Sequence, residues 1–407
     1  MSGLLWCHAT DAAMKIMHVI TRFILGGAQE NTLYTVEGQH ASPEHEVMLV
    51  TGPAVGPEGE LLERAKRSGV NTVVLRHLRR AICPWNDSLA FLGLCRTIRR
   101  FRPDVVHTHS SKAGILGRLA ARLCRVPVVV HTIHGLPFHP YQCVLLNWGY
   151  ILLERWCARY SDAIITVCDA MAEQALAARV GRAERYHTIY SGIEVDTFLA
   201  DIDRDEVRRR WGLSPDDLVV GKVARLSDLK GHEFLFDAFE EVARREPRAK
   251  LLLVGDGWRR AEYERRVAES GLSARVVFAG LIPPQDVPAA IHAMDVLVHT
   301  SLREGLARVL PQALLSGVPV VSYDVDGARE VVVPEETGVL LPPKDVTGLT
   351  AAILRLLGDA ALRERLGRTG RERLTRAFDA RLMVERINAL CTGLVQKKGR
   401  SARPSAS

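Results

Sequence analysis

The chain has 407 residues, 47% apolar and 25% charged, with a formal net charge of +7. That length suits two domains or slightly more, and the composition excludes a disordered, collagenous or coiled-coil chain. Aromatic residues at 6% are too few for a stacking surface on single-stranded nucleic acid, and the mild basic excess points to an anionic partner without naming it.

Strand-like sequence starts at Met14. Residues 1–13 have no basic segment ahead of a short apolar stub, so they read as a disordered extension and not as a signal peptide. β-Branched and apolar runs follow at 15–20, 46–50, 71–75, 104–109, 126–131, 162–167 and 186–190. A second series lies at 218–224, 249–255, 275–280, 295–300 and 318–323. Helical patterns separate most of these runs. The alternation is that of βαβ units in parallel sheets buried on both faces. It breaks across 191–217, turn-rich and then charged, where the domain boundary is placed. After about residue 345 the strands stop, and 346–394 reads as two or three amphipathic helices. The predicted fold is α/β, with doubly wound domains at 14–200 and 201–378, a helical C-terminus, and a disordered basic tail at 396–407.

Residues 1–200 carry 21 basic and 17 acidic groups, and the last eleven residues carry four basic groups and no acids. The eight cysteines (7, 83, 95, 124, 143, 157, 168 and 391) form no C-x-x-C pair and no zinc spacing, so they read as buried thiols of a cytosolic protein. No apolar run reaches the roughly 18 residues of a membrane span.

Ligands of open α/β sheets bind beyond the carboxyl ends of the strands, and the candidate residues cluster there. Gly26-Gly27 follows the first strand and opens a helix, where paired glycines admit a phosphate to free backbone N–H groups; a plain tight turn is the competing reading. His107, His109, His131, His134 and His139 lie within 33 residues of chain. Without interleaved carboxylates they make a poor metal site. His107, His131 and His139 read as satisfied polar groups, whereas His134, on a turn before Gly-Leu-Pro, is placed to bond a polar ligand. Ser110-Ser111-Lys112 is a helix cap or a phosphate holder. Arg225 and Lys230, five apart on a strand-to-helix loop, suit a diphosphate gripped from two sides. In the segment 299–330, Glu304 is expected at the first turn of a helix running to about Ser316, ready to accept from sugar hydroxyls. The N–H groups of Gly305 and Leu306 would meet a phosphate, and Gln312 would lie on the same helical face. Three D-x-D matches (Asp201/Asp203, Asp203/Asp205, Asp324/Asp326) read as linker and turn residues. Neither a nucleophile elbow nor a P-loop occurs.

The Gly-Gly turn, the T-I-H-G turn, R-x4-K-G and R-E-G-L occur here in one order. That combination resembles the retaining family-4 glycosyltransferases of the GT-B fold, over about residues 15 to 390, and most of all members that build polysaccharide or lipid-linked oligosaccharide. The resemblance implies two Rossmann-like domains facing across a cleft, with the acceptor mainly on the first and a nucleotide-diphosphate sugar, expected to be UDP-linked, mainly on the second. It implies a last helix within 379–395 that returns to the first domain. By the same resemblance, Arg225 and Lys230 neutralise the departing diphosphate in place of a metal, Glu304 holds hydroxyls of the transferred sugar, His134 contacts that sugar near the reacting carbon, and Gly26 and Gly27 let backbone reach the donor phosphates. The family's second glutamate is Gln312 here, an amide that bonds a ribose without charge assistance, about 1–2 kcal/mol weaker. Cofactors and metals are expected to be absent, nucleic acid is not an expected partner, and a peripheral cytoplasmic position on an anionic membrane face is expected from Arg76, Arg79, Arg80, Arg96, Arg99, Arg100 and Arg102. The competing readings are a nucleotide-sugar epimerase on the same fold and a binding protein that has lost activity; a nicotinamide dehydrogenase is more remote.

Overall fold

The computed structural model describes residues 13–54 and 61–401. Residues 1–12 of the expected N-terminal extension, Cys7 among them, residues 55–60 and the last six residues of the tail lie outside the described residues. The chain divides into two compact units: Met1–Thr166, Gln174–Ile189 and Val384–Ser407 form the first, Val167–Glu173 and Tyr190–Met383 the second.

The first unit is a seven-stranded sheet of β1 (Met14–Ile20), β2 (His45–Thr51), β3 (Asn71–Val74), β4 (Val105–His109), β5 (Val128–Ile133), β6 (Ala163–Thr166) and β7 (Tyr186–Thr188). Its order is β3-β2-β1-β4-β5-β6-β7, and its pairs are parallel. Its helices are α1 (Gly27–His40), α2 (Leu62–Arg67), α3 (Pro84–Phe101), α4 (Ser111–Leu123), α5 (Val144–Ala158) and α6 (Asp169–Ala177), the last beginning among residues of the second unit. β4 and β5 are buried along their whole length, which is why they read as apolar runs without alternation. α3 and α4 pack Ala90, Leu94, Ile98, Ala113, Ala120 and Ala121 over one sheet face.

The second unit holds α7 (Val195–Leu199), α8 (Arg204–Arg210), β8 (Leu218–Val223), α9 (His232–Arg245), β9 (Ala249–Val254), α10 (Arg260–Glu269), β10 (Val276–Gly280), α11 (Val287–His292), β11 (Val296–His299), α12 (Val309–Leu315), β12 (Val320–Tyr323), α13 (Ala328–Val331), β13 (Gly338–Leu341), α14 (Val346–Gly358) and α15 (Ala360–Ala377). Its parallel sheet runs β10-β9-β8-β11-β12-β13. α9 buries Leu235, Phe236, Phe239 and Val242 against it. The final helix, α16 (Ala380–Ser401), starts in the second unit and belongs to the first from Val384 onward.

Three local expectations need correction. The stretch 191–217 is not an open linker: Arg204 and Arg208 both donate to Asp295, at 2.7 Å, and Arg208 also caps carbonyls of Ala293, Pro215 and Asp217. A strand beyond those expected, β13, pairs with β12 from Val320↔Gly338 to Tyr323↔Leu341. The tail expected from residue 396 is helical to Ser401, where Lys398 pairs with Asp162 at 2.7 Å and donates to the Pro127 carbonyl. α16 lies close on α1: a Cβ added at Gly38 would meet Val384 at 2.8 Å.

Candidate active site

In each sheet the strand order reverses once, between β1 and β4 and between β8 and β11, and a crevice opens beyond the carboxyl ends at such a switch point. In the second unit Lys230 and Glu304 meet at the switch point, and in the first Ser110, Ser111 and His134 line one cavity.

In the first unit, Thr21, just after β1, bonds Ser110, just after β4, through their hydroxyls at 2.8 Å. The Ala113 N–H, in the first turn of α4, donates to the same Thr21 oxygen at 3.0 Å. Gly26 is the N-cap of α1 and Gly27 its first residue. A cavity of about 250 Å³ opens here, lined by Ala28 of α1, Ser110, Ser111, His134 and Glu154 among others. The serine turn, His134 and Ala28, the residue after the glycine pair, thus line one cavity, whereas Gly26 and Gly27 are not among its lining residues. Lys112 is not part of it: its ammonium pairs with Asp87 at 2.6 Å. Ser110 occupies the N-cap of α4 without a side-chain capping bond, its hydroxyl being engaged by Thr21, so the serine turn ties β4 to β1 instead of capping the helix.

The histidines form a connected stack. His134 lies 3.1 Å from His109, which lies 3.0 Å from His18, which lies 2.7 Å from Gln39. His107 bonds Thr132 at 2.7 Å and His131 bonds Thr108 at 2.9 Å. His18, His107 and His109 bring ligand-type nitrogens within 4.8 Å of one another, yet both nitrogens of His18 and His109 are committed to hydrogen bonds. Burial lowers the pKa of His18 to about 4 and holds His107, His109 and His131 well below the ordinary histidine value, so these rings are neutral. The unfolded chain takes up protons below about pH 6.5 that the folded chain refuses until about pH 4. Stability is therefore full above pH 6.5 and falls between pH 6.5 and 4, by about 3 kcal/mol for His18 alone. Denaturant unfolding at pH 7.5 and pH 5 is expected to show about 2 kcal/mol of that loss for His18, and equal stability at the two values would contradict the neutral stack.

In the second unit, Lys230 donates to Glu304 Oε1 at 2.5 Å, and His299 Nε2 stands 3.4 Å from the same oxygen. Burial pushes the Glu304 carboxyl up, but Lys230 and His299 outweigh it and hold it well below the usual carboxylate range. The loop is fixed from both ends. The Glu304 N–H donates to Asp326 Oδ2 at 2.6 Å. Beneath, buried Lys222 donates to Thr300 at 2.8 Å, and Thr300 donates to the Gly231 carbonyl at 2.6 Å. Gly231 has φ 66°, and a Cβ there would lie 1.9 Å from the Thr300 carbonyl oxygen, so glycine is required beside Lys230. Burial, with Lys230 nearby, lowers the Lys222 pKa to about 7.

Glu304 is not at a helix start. α12 begins at Val309, so Gly305 and Leu306 do not offer helix N-terminal N–H groups, and the Gly305 carbonyl accepts from Gly327. Gln312 sits inside α12, partly buried, and shares no helical face with Glu304. Arg225 follows β8 and is partly exposed. Asp203 caps α8, a structural role within a helix end and not an open linker, and Asp324 pairs with Arg329, a turn role as expected. The sequence does not single out Lys222, His299, His18 or Gln39, and it presents Asp326 only as a turn residue; a lysine inside an apolar strand is the one available signal.

Residues 203–373 match the family "Glycosyl transferases group 1" and residues 26–192 match "Glycosyl transferase 4-like domain". A 2-deoxystreptamine glucosyltransferase of Streptomyces kanamyceticus is 33% identical over 71% of this chain and 77% of its own. An Escherichia coli UDP-Gal:alpha-D-GlcNAc-diphosphoundecaprenol alpha-1,3-galactosyltransferase is 26% identical over 96% of this chain and 100% of its own. The crystal structure of Anabaena HepE with UDP-glucose superposes with a TM-score of 0.81 at 23% identity, covering 93% of this chain and 100% of that one. The fold is that of HepE.

Proposed function

The chain belongs to the group 1 glycosyltransferases, enzymes that take a sugar from a nucleotide-sugar donor, and from that premise we propose that its donor is a UDP-sugar, transferred without a metal and with retention of anomeric configuration to a polyprenyl-linked glycan. The observation that carries this reading is the Lys230–Glu304–His299 cluster at the switch point of the second sheet. Its lysine and ionised carboxylate supply opposite charges at the place where a diphosphate sugar would be held. An ammonium has three N–H donors; with one committed to Glu304, the others are available to the diphosphate oxygens. Arg225 joins Lys230 in neutralising the charge that develops as UDP departs, the electrostatic term that dominates such reactions. Glu304 accepts from sugar hydroxyls, His134 contacts the sugar near its reacting carbon, and Gln312 bonds the ribose. Attack on the face the diphosphate leaves, through an oxocarbenium-like centre, gives retention with no enzyme nucleophile. HepE solved with UDP-glucose supports a UDP donor, and the galactosyltransferase acting on a diphosphoundecaprenol-linked sugar supports the acceptor class.

Among the described residues no helix is long and apolar enough to cross a membrane. One face of α5 nevertheless exposes Leu145 (82%), Trp148 (55%), Leu152 (53%) and Trp156 (42%), spaced like one side of a helix. Arg96, Arg99 and Arg100 of α3 are also exposed. An apolar stripe with tryptophans, on a unit with basic helix faces, fits an anionic bilayer surface, where a polyprenyl acceptor resides. Binding to vesicles containing phosphatidylglycerol is expected to fall at least tenfold in Trp148→Ser/Leu152→Ser; unchanged binding would remove the membrane from the account. For the donor, thermal shifts with UDP-, GDP- and ADP-sugars are expected to be largest with a UDP-sugar. Interconversion of UDP-sugars without acceptor would instead favour an epimerase.

A further inference from the structure

The histidine stack does not end at Gln39. Gln39 Nε2 donates to Asn388 Oδ1 of α16 at 2.8 Å, so Gln39 presents its oxygen to His18. An amide oxygen only accepts, so the proton of His18 is on Nε2, and its Nδ1 carries the lone pair. That lone pair accepts from His109 Nε2–H across 3.0 Å. Neutral His109 then has its lone pair on Nδ1, which accepts from His134 Nε2–H across 3.1 Å. His18 and His109 are fully buried, which keeps both rings neutral. A neutral imidazole has one N–H, so the direction set at one end runs through to the other.

We propose that Gln39 is a positioning residue: the orientation of its amide, held by Asn388, fixes His134 as the Nε2–H tautomer and so makes His134 Nδ1 a hydrogen-bond acceptor for a hydroxyl of the transferred sugar. The second part rests on the functional reading above; the first does not. The polar chain also gives α16 a task beyond packing, because it carries the group that orients Gln39.

The test uses the full-length protein labelled with ¹⁵N-histidine, whose ring nitrogen shifts report the tautomer directly, with His134→Gln identifying the His134 signals. Wild type is expected to show His134 protonated on Nε2. In Gln39→Met, close in size but without an acceptor, the chain loses its direction, and a substantial population of His134 moves to the Nδ1–H form. Asn388→Leu, on a partly exposed helix position, releases the amide and is expected to act in the same way, whereas Asn388→Asp, which still accepts from Gln39, retains the wild-type tautomer. In the transfer assay Gln39→Met is expected to lose about tenfold in kcat, the worth of one hydrogen bond, with donor KM little changed. A merely structural role would lower stability without moving the tautomer. His134 protonated on Nδ1 in wild type, or unchanged in both Gln39→Met and Asn388→Leu, overturns the proposal. A shifted tautomer with unchanged kcat overturns the role given to Nδ1. If wild type transfers no sugar at all, the functional reading fails, and the NMR result still decides the relay.

Discussion

Lys230→Ala is expected to lower kcat by about two to three orders of magnitude, the cost of removing one donor aimed at developing charge. Two effects combine. In the proposed reaction the departing diphosphate loses a cation, and Glu304 loses the partner 2.5 Å away that keeps it ionised against the effect of burial. Lys230→Arg separates them: a guanidinium restores charge to Glu304 but places its donors in a planar fork rather than at a point. It is expected to recover Glu304 ionisation and only part of the rate. Steady-state UDP release with saturating donor measures both variants. Lys230→Ala within about threefold of wild type would remove Lys230 from the reaction.

Glu154→Ala is expected to cost the first unit about 3–5 kcal/mol. Glu154 of α5 accepts from Arg118 of α4 at 2.7 Å, and the two side chains are 5% and 1% exposed. Removing the carboxylate leaves a buried guanidinium whose remaining bond is to the Gly114 carbonyl at 2.8 Å. Neutralising both ends tests the cause. Arg118→Met/Glu154→Leu is expected to recover most of the loss, because a buried pair contributes little net stability while half a pair is costly. Equal losses in the single and double variants, measured by denaturant unfolding, would assign the effect to packing.

The α/β alternation was legible because parallel strands buried on both faces must be apolar, and Val-Val-Val at 128–130 or Leu-Leu-Leu at 251–253 leaves no other reading. β13 was not legible: only Val-Leu-Leu follows Thr337-Gly338, and only its pairing with β12 makes Gly338–Leu341 a strand. The site was legible as positions after strands, and much less so as geometry. The spacing from Glu304 to Gln312 suggested two helical turns, but Pro311 and the bonds from Glu304 to Asp326 and from Gly327 to Gly305 confine the helix to Val309–Leu315. His18 and Gln39 gave no local sign of their role, because the register of β1 on β4 pairs His18 with His107 across 89 residues of chain. Of the proposed membrane contacts only the basic residues were legible: the exposed apolar stripe of α5 looked like core in sequence, because hydropathy does not reveal which face of a helix is covered.

A single ¹H NMR time course would test the central claim most directly: the purified protein, a UDP-sugar and a polyprenyl-diphosphate-linked glycan, in EDTA, beside the Glu304→Ala variant. The account predicts UDP release that depends on acceptor, a new anomeric signal with the configuration of the donor, and loss of nearly all turnover in Glu304→Ala. An inverted product, a requirement for added metal, or near-normal turnover without Glu304 would contradict it.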